Sequence, residues 1–524
     1  MLQVMAFFIT LIIVLTMRLY VLQVHPSEKV QVSYQNHQME NISDIKYMIL
    51  DTNGKDLMKY DKKYILVIDI KPFSLNNYEE TLEDLMALNF IMKSEKPEFN
   101  YSEIMKSQGK IYYNISEETY NKINKLKNIK GIYTYVSDKV DTKKAWSVSS
   151  FLSDILDENQ IEGSLQYELK EYLKNNDLPK KNFYLNDKSV YAKQSVNINK
   201  DNKNLKLTID KDIEDKIRSV LEKDEYKYLK NVGVSILESD TGKIRALVQK
   251  DESAANINLG IQEIGYEPGS IYKIITLASA LEMGLVNVND IFTCNSNICR
   301  VNHGTLTVRN ALVKSCNDIF GKIGSLVGYD KLMEYSKKQG LYSRVLNLEG
   351  ENKNETSGIQ PKEEAGMNNI SIGQCMNVSP IQMLGAVNTI VNNGVYVKPY
   401  LVESILDKDD NAVKEFKSDR KKIYSEITSR LVKDAMKEVV LKGTGIKAYI
   451  PNFNIGGKTG SATSSDGNTH GWFVGYFNFN NKTYTMLVFV PNIESQNLGT
   501  DVELGGGDTA APIFRDIVKT LNNK

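Results

Sequence analysis

The sequence contains little cysteine, only four residues in 524. This number is too small for a framework of disulfide bonds, which excludes a small disulfide-stabilised scaffold. Neither sign of charge is in excess, because Lys and Arg together number 65 and Asp and Glu together also number 65. The overall charge therefore gives no indication of nucleic-acid binding. The chain also lacks internal repeats and long low-complexity segments.

The composition is otherwise that of a globular protein. Apolar residues make up 41% of the chain and charged residues 25%, which leaves ample material for hydrophobic cores. A chain of 524 residues is expected to form two or more domains.

The first seventeen residues, Met1 to Met17, carry no charged side chain and are rich in Phe, Ile, Leu and Val. As a helix they would span roughly 25 Å, at the short end of what a bilayer core requires. Arg18 can extend its charge to the lipid headgroups, and Leu19 to Val24 can continue the helix to the interface. A cleaved signal peptide is the alternative, but the basic start and the small-residue cleavage site are missing. We predict an uncleaved transmembrane anchor over residues 1–24. Flanking charges do not determine its orientation in the membrane, because no Lys or Arg precedes it.

The next region, residues 25–204, is polar and rich in Lys, Asn and Glu. It contains strand patterns at Tyr47–Leu50, which runs into the turn Asp51–Gly54, and at Tyr64–Ile70. No combination of residues typical of a catalytic site occurs here. We predict an N-terminal spacer or docking domain, since about 180 residues is the size of one ordinary domain.

The C-terminal region, residues 205–524, has strand patterns at both ends and helical patterns between them. This order predicts an α+β domain whose single antiparallel sheet takes strands from opposite ends of the region. Gly456 and Gly457 are expected to permit the close approach of a ligand. The predicted elements are a helix over Lys211–Leu221, a hairpin of Val232–Leu237 and Ile244–Val248, a strand over Ile455–Ser461, a hairpin of Trp472–Phe479 and Thr483–Val490, and a helix over Ala511–Leu521.

A candidate nucleophile lies in residues 267–273, Glu-Pro-Gly-Ser-Ile-Tyr-Lys. The Pro-Gly pair interrupts the preceding segment, and apolar residues at helical spacing follow as far as Gly284. Ser270 then lies in the first turn of a helix, with Lys273 on the same side. A serine hydroxyl needs a base and a positive field to react at neutral pH. A desolvated lysine and a helix N-terminus supply both.

Two further motifs distinguish this serine from chance matches. Ser315-Cys316-Asn317 follows it, and Lys458-Thr459-Gly460, the only K-T-G in the chain, comes later. Ser-x-x-Lys, Ser-x-Asn and Lys-Thr-Gly in this order are the signature of penicillin-binding proteins and serine β-lactamases. The alternative is that Ser315 and Asn317 only cap the helix that follows them. Isolated Ser-x-x-Lys matches without partner motifs begin at Ser43, Ser107 and Ser418.

From about Leu205 onward the chain resembles the transpeptidase domain of class B penicillin-binding proteins. In the N-terminal part, Arg18–Val24 resembles the segment that follows their membrane anchor. Asp51–Gly54 resembles their D-R-N-G turn, with Thr52 in place of the arginine, and Gly163–Gln166 resembles a pedestal motif. Nothing resembles a glycosyltransferase domain, which favours class B over class A. The resemblance implies a penicillin-binding-protein/serine β-lactamase-like domain with helices on both faces of its sheet, on an elongated N-terminal α/β pedestal with one transmembrane helix.

The resemblance also implies acyl transfer on the D-Ala-D-Ala end of peptidoglycan stem peptides. Ser270 is then the nucleophile and Lys273 its base, with a pKa lowered by burial and by the charge of Lys458. Ser315 relays a proton to the leaving amine. Asn317 holds Lys273 and the substrate amide.

The third motif is expected to hold the substrate. Lys458 and Thr459 bind the terminal carboxylate of the peptide. Gly460 lets the peptide lie along the strand edge as an added strand. The backbone N–H groups of Ser270 and Ser461 form the oxyanion hole. Attack by a second amine then gives a cross-link, whereas attack by water gives a carboxypeptidase.

Partners and location follow from the same resemblance. We expect covalent binding of penicillin and other β-lactams, no required cofactor, and a membrane glycan polymerase as partner. The protein is expected to be a single-pass protein of the cell membrane, with its catalytic domain outside the cytoplasm. A role in elongation, in division or in spore formation stays open.

The spacing of Cys294, Cys299 and His303 is compatible with a zinc site, because Zn²⁺ favours thiolate and imidazole ligands. Cys316 or a carboxylate could supply a fourth ligand, and such a site would lie beside the active centre. A Cys294–Cys299 disulfide and unpaired thiols are the alternatives. Cys375 is expected to be a buried small residue, and His470 is a candidate for the lining of the cleft.

Two other functions use the same motifs. A β-lactamase or β-lactam sensor is disfavoured, because such proteins generally lack this pedestal and anchor. A non-catalytic scaffold in a wall-building complex is disfavoured, because all three motifs are intact.

Overall fold

The computed structural model of this protein describes residues 2–24, 37–77, 79–141, 152–349, 354–463, 467–493 and 504–523. Residue 25, where the N-terminal domain is predicted to begin, lies outside the described residues. The strands are β1 (His37–Asn41), β2 (Ile49–Leu50), β3 (Tyr60–Asp69), β4 (Lys110–Ile115), β5 (Ile132–Val140), β6 (Lys180–Leu185), β7 (Tyr191–Asn197), β8 (Asn204–Leu207), β9 (Gly233–Glu238), β10 (Ile244–Gln249), β11 (Ile291–Thr293), β12 (Thr305–Thr307), β13 (Val395–Val397), β14 (Val402–Leu406), β15 (Ala412–Glu415), β16 (Arg420–Lys422), β17 (Gly456–Thr463), β18 (Thr469–Phe479) and β19 (Lys482–Val490).

The α-helices follow in the same order along the chain. They are α1 (Leu2–Val24), α2 (Ile70–Asn76), α3 (Leu82–Lys93), α4 (Tyr101–Ile104), α5 (Glu117–Ile123), α6 (Leu165–Leu173), α7 (Lys211–Leu221), α8 (Lys273–Glu282), α9 (Val308–Val313), α10 (Asn317–Val327), α11 (Tyr329–Lys338), α12 (Met367–Ile370), α13 (Pro380–Val391), α14 (Glu426–Lys442) and α15 (Ala510–Asn522). Short 3₁₀ turns precede several of them, including Gly269–Tyr272 directly before α8.

The predicted anchor is a helix, α1, over Leu2–Val24. Within the described ranges, no helix is both long and apolar enough to cross a membrane. The transmembrane part of the prediction is therefore not supported.

The chain packs into two units. The first unit comprises Met1–Lys46, Lys59–Val140 and Asn176–Asn202, and the second comprises Tyr47–Met58, Asp141–Asn175 and Lys203–Lys524. The last segment of the first unit ends at Asn202, two residues before the domain boundary that the sequence predicts at residue 204. The structure differs from the prediction in that two segments of the N-terminal region belong to the second unit.

Long-range pairing explains this difference. Strand β2 pairs in parallel with β8, so that Ile49 lies opposite Leu205. The hydroxyl of Tyr47 donates a hydrogen bond to the carbonyl of Leu152 at 2.6 Å. Both segments therefore find their partners within the second unit.

The first unit contains two three-stranded sheets, in the orders β4-β3-β5 and β1-β6-β7. Strand β3 alternates between two hydrophobic clusters, as a strand buried on both faces does. Leu66 and Ile68 pack in one cluster with residues of α3 such as Leu88. Val67 packs in the other with Tyr133.

The second unit is built on a five-stranded antiparallel sheet in the order β10-β9-β19-β18-β17. Its strands come from both ends of the unit, as predicted. The sheet is not single, however, because the unit also contains a four-stranded sheet in the order β15-β14-β8-β2 and two two-stranded sheets, β11-β12 and β13-β16. Helices α7 and α15 bury their apolar sides against one face of this sheet. Helix α13 is buried along its whole length and packs against β19 and β9. Strand β17 is an edge strand, so one of its sides is open for a further partner.

Candidate active site

The nucleophile segment begins with a sharp turn. Gly269 has a φ of +54°, a conformation that favours glycine, and the 3₁₀ turn Gly269–Tyr272 leads directly into α8. Ser270 is half-buried in this turn, at the N-terminal end of the helix. Lys273 follows on the same side, and its Nζ lies 3.0 Å from Ser270 Oγ. The predicted pairing of nucleophile and base is therefore present.

Lys273 is completely buried. Its Nζ lies 2.7 Å from the carbonyl oxygen of Ser315 and 2.6 Å from Asn317 Oδ1. Burial lowers the pKa of Lys273 to about 7, and the nearby Cys316 and Cys299 oppose this shift. A substantial fraction of the lysine is therefore neutral near pH 7 and able to accept a proton from Ser270. Burial is the cause of this shift, as predicted, whereas the predicted contribution from Lys458 is not among its causes.

The second lysine, Lys458, is also completely buried. Its Nζ lies 2.9 Å from Ser315 Oγ and 2.8 Å from the carbonyl oxygen of Thr459. Burial, together with the charge of Lys273, holds the pKa of Lys458 well below its ordinary value. Ser315 Oγ is also 3.2 Å from Lys273 Nζ. The Ser315 hydroxyl thus joins the two lysines and is placed to pass a proton from one side of the site to the other.

The turn at Ser315-Cys316-Asn317 presents two of these groups to Lys273. Ser315 has a φ of +56°, a left-handed conformation that costs a non-glycine residue roughly 1–2 kcal/mol. Helix α10 starts at Asn317 with Cys316 at its N-cap position. The Cys316 side chain makes no capping hydrogen bond, whereas Cys299 Sγ accepts one from the N–H of Asp318 at 3.3 Å. The capping interpretation of Ser315 and Asn317 is therefore wrong, because both side chains contact Lys273.

Strand β17 supplies the expected strand edge. A Cβ added to Gly269 would lie only 2.5 Å from the carbonyl oxygen of Ser461, so this carbonyl points out of the sheet edge toward the nucleophile segment. The N–H and C=O groups of one residue in an antiparallel strand point to the same side. The N–H of Ser461 therefore also faces this side, where an oxyanion hole requires it.

The glycines in and just before the third motif have different neighbours from those predicted. A Cβ on Gly460 would lie 2.8 Å from the carbonyl oxygen of Pro268, so glycine is needed there because the nucleophile segment packs against it. At Gly456 and Gly457 the space is filled by the rings of Tyr476 and Phe473. The expectation that these two glycines admit a ligand is therefore wrong.

A cleft of about 1020 Å³ runs past these groups. Predicted residues that line it include Ser270, Ser315, Asn317, Thr459 and Ser461. Lys273 and Lys458 do not line the cleft. Each is connected to it by a hydrogen bond to a serine that does, Lys273 to Ser270 and Lys458 to Ser315.

Two residues of the site were missed by the sequence analysis. Thr444 Oγ1 lies 2.7 Å from Thr459 Oγ1, and Gly506 N–H donates to Ser461 Oγ at 3.1 Å. Thr444 stands between two glycines directly after α14, and Gly506 is the middle residue of a Gly-Gly-Gly run. Both glycine-rich stretches can be recognised in the sequence, but no sequence pattern indicates that they lie at the active site.

Two single-residue expectations need correction. His470 is buried against Tyr266 and Phe489 and does not line this cleft, whereas its neighbour Thr469 does. Alternate residues of a strand face opposite sides, and the sequence did not show which side His470 takes. Cys375 is exposed rather than buried, because it lies in a turn with a φ of +61°.

Four metal-ligating side chains meet beside the cleft. The ligand atoms of Cys294, Cys299, His303 and Cys316 all lie within 4.8 Å of one another. No disulfide joins Cys294 and Cys299, since all four cysteines of the chain are free. Burial raises the pKa of Cys294, but hydrogen bonds, chiefly from the backbone at His303 and Ser296, outweigh it and lower that pKa to about 6. Of the two candidates for a fourth ligand, Cys316 or a carboxylate, the structure brings Cys316 to the other three side chains.

Comparison with known proteins supports one family. The sequence model of the penicillin binding protein transpeptidase domain matches residues 232–519, more than half of the chain. The stage V sporulation protein D of Bacillus subtilis is 28% identical over 514 residues, which cover 90% of this chain and 77% of that protein. A peptidoglycan D,D-transpeptidase FtsI homolog of Mesostigma viride is 26% identical over 301 residues, about half of each chain.

The fold is shared with solved structures. A peptidoglycan synthetase from Bifidobacterium adolescentis superimposes with a TM-score of 0.61 at 18% identity. The match covers 93% of this chain and 96% of that one. At this level of identity the likeness shows the fold.

The left-handed conformation of Ser315 gives a testable prediction. Ser315→Gly and Ser315→Ala both remove the hydroxyl group, but only glycine relieves the strain at a φ of +56°. We expect the Gly variant to have a free energy of unfolding about 1 kcal/mol higher than the Ala variant. Denaturant unfolding of the two full-length variants measures this difference. An Ala variant as stable as the Gly variant would show that Ser315 is not strained.

Proposed function

Because this chain belongs to the penicillin-binding protein transpeptidase family, we propose that it is a class B penicillin-binding protein that cross-links peptidoglycan as a serine D,D-transpeptidase. The observation that carries this proposal is the convergence of the three motifs. Lys273 Nζ contacts Ser270 Oγ, and Ser315 Oγ contacts both Lys273 and Lys458. The substrate is the D-Ala-D-Ala end of a stem peptide.

Acylation begins at Ser270. Neutral Lys273 takes the hydroxyl proton while Ser270 Oγ attacks the carbonyl carbon between the two D-alanines. The N–H groups of Ser270 and Ser461 stabilise the negative charge that develops on the carbonyl oxygen. The C–N bond then breaks, and the leaving amine receives the proton from Lys273 through the hydroxyl of Ser315. D-alanine departs, and the peptide stays on Ser270 as an ester.

Substrate binding uses the other end of the site. Lys458 and Thr459 hold the terminal carboxylate of the peptide. A bound carboxylate favours the charged form of Lys458, and so opposes the effect of burial on its pKa. Asn317 Oδ1 holds Lys273, and its amide group also faces the substrate cleft.

Deacylation completes the cross-link. The amino group of a second stem peptide attacks the ester carbonyl and loses a proton to Lys273. The ester C–O bond then breaks, a new amide bond remains, and Lys273 returns the proton to Ser270 Oγ. Water in the place of this amine would give a carboxypeptidase.

The experiment that tests this proposal is intact-mass spectrometry of the full chain after incubation with benzylpenicillin. We expect a lasting adduct of one penicillin per chain that is absent in Ser270→Ala. Ser418→Ala is the matched control, because Ser418 begins another Ser-x-x-Lys sequence in an exposed stretch, and it should keep the adduct.

Two other results would contradict the proposal. Consumption of penicillin without a lasting adduct indicates a β-lactamase. Wild-type protein that neither consumes penicillin nor forms the adduct indicates a scaffold.

The cellular role is also proposed. The relative of which this chain covers 77% carries a name from spore formation, and this supports a role in the wall synthesis of sporulation over elongation or division. The second unit carries the active site and is the catalytic unit. We further propose that residues 1–24 anchor the protein in the cell membrane, with the catalytic unit outside the cytoplasm and a membrane glycan polymerase as partner. The support for the anchor is the uncharged sequence of Met1–Met17. Release of the full chain from membranes by alkaline carbonate would contradict it.

Zinc is proposed as a ligand of the cysteine–histidine cluster. Three thiols and one imidazole form a donor set typical of structural zinc, and all four atoms are close enough to share one ion. Bound zinc would tie the loop that carries Cys294, Cys299 and His303 to Cys316, between Ser315 and Asn317. Its contribution is to hold this turn in place, and no step of acyl transfer requires it.

Metal analysis of the full chain, purified under reducing conditions with zinc supplied, tests this site. We expect about one zinc per chain, and a loss of most of it in Cys299→Ser and His303→Ala. Cys375→Ser should keep the metal, because Cys375 is outside the cluster. Wild-type protein without zinc, or equal zinc in all variants, would overturn the proposal.

A further inference from the structure

A threonine outside the three motifs lies at the end of the cleft where Lys458 and Thr459 are found. Thr444 follows α14, and its Oγ1 lies 2.7 Å from Thr459 Oγ1. Both residues line the cleft, but Thr459 is only 7% exposed, whereas Thr444 belongs to the exposed residues. Of the two hydroxyl groups, that of Thr444 is therefore the more accessible to a ligand in the cleft.

The hydrogen bond between the two hydroxyl groups is donated by Thr459 and accepted by Thr444. A hydroxyl group has a single proton, so Thr459 has none left for a ligand while this bond is in place. The proton of Thr444 is not used in this bond. Thr444 is therefore the member of the pair that can donate to an anion in the cleft, and the bond that it accepts makes it a stronger donor.

The backbone of Thr444 is fixed on two sides. Its N–H donates to the carbonyl of Val313, the last residue of α9, at 3.3 Å. A Cβ on the preceding Gly443 would lie 2.5 Å from the same carbonyl, so the chain passes α9 where no side chain fits. On the other side, a Cβ on Gly507 would lie 3.0 Å from the carbonyl of Thr444. The hydroxyl group is thus presented to the cleft by a preorganised loop, which reduces the entropic cost of binding a ligand.

An amine donor lies beside the hydroxyl pair. Lys458 Nζ lies 2.8 Å from the carbonyl oxygen of Thr459 and 3.4 Å from its Oγ1. The two oxygens of a carboxylate accept hydrogen bonds separately, so one carboxylate can accept from this amine and from Thr444. The neighbouring Lys447 and Asp508 also line the cleft, but they pair with each other at 2.7 Å and compensate each other's charge.

We propose that Thr444 binds the terminal carboxylate of the donor peptide directly, through a hydrogen bond from its hydroxyl group. The inference rests on the proposed transpeptidase function and adds a substrate-binding residue to it. Lys458 and the hydroxyl pair then form one subsite, in which Thr459 also orients Thr444. We expect the carboxylate of a penicillin to occupy the same subsite, because it is attached next to the reactive amide nitrogen, as the carboxylate of the terminal D-alanine is.

Benzylpenicillin and its methyl ester test this proposal, because they differ only at the carboxylate. Intact-mass spectrometry of the full chain over time gives the second-order rate constant for acylation of Ser270 by each compound. We expect the wild-type protein to prefer the acid by about tenfold or more. In Thr444→Val, which has nearly the same shape but no hydroxyl group, this preference should fall by about fivefold. Thr444→Ser keeps the hydroxyl group and should retain the preference within about twofold.

Two further variants separate a direct contact from other effects. Thr463→Val removes another hydroxyl group that lines the cleft on β17, roughly 13 Å along the strand from Thr459, and should leave the preference at its wild-type value. In a Thr459→Val background, the additional change Thr444→Val should still lower the preference by about twofold or more. Because the readout is a ratio of two compounds, a general loss of activity does not imitate the expected result.

Three results would contradict the direct contact and leave the transpeptidase assignment standing. They are a wild-type ratio near one, a full preference in Thr444→Val, and an effect of Thr444→Val that disappears in the Thr459→Val background. The last result would show that Thr444 acts only by orienting Thr459. Absence of acylation of the wild-type protein by both compounds would overturn the proposed function together with this inference.

Discussion

Two lysine side chains buried around one serine hydroxyl are the constraint on which the active site depends. Lys273 and Lys458 are both inaccessible to solvent, and Ser315 Oγ lies within 3.2 Å of each amine. Two ammonium groups in this position would lose their hydration and repel each other. The folded state therefore favours a neutral amine, and a neutral amine is what a serine nucleophile needs as its base. The desolvation that disfavours the charged lysine thus also provides the neutral base that activates Ser270.

Close backbone contacts fix the position of the nucleophile segment. Gly269 packs against the carbonyl of Ser461, and Gly460 packs against the carbonyl of Pro268. A Cβ on Gly373 would lie 2.3 Å from the carbonyl of Gly269. Three chain segments thus cross where no side chain fits between them. Close packing of this kind transmits small displacements instead of absorbing them. The distance between Ser270 and the strand edge is consequently set by backbone contacts, and catalysis by positioning requires such precision.

Much of the catalytic unit was predictable, because its signals are local. The helix after Ser270, the hairpin of β18 and β19 and the order of the three motifs are all encoded in short stretches. Signals that depend on distant partners were not accessible. Because β2 pairs with β8, residues Tyr47–Met58 belong to the catalytic unit and not to the N-terminal one. The rings of Tyr476 and Phe473 occupy the space at Gly456 and Gly457. Strand alternation places His470 against Tyr266 and Phe489 and away from the cleft, although sequence alone does not show which face of the sheet is which.

The pH dependence of acylation tests the central claim most directly. The rate constant for acylation of Ser270 by a fluorescent penicillin would be followed by stopped flow on the full chain, from about pH 5 to about pH 9. Only neutral Lys273 acts as the base, so the rate should rise with pH, reach half its maximum near the lowered pKa of about 7, and level off above it. Lys273→Arg, which stays charged, should be slow at every pH. A wild-type rate still rising tenfold per unit at the alkaline end would show a lysine with its ordinary pKa of 10.5, and would contradict the account.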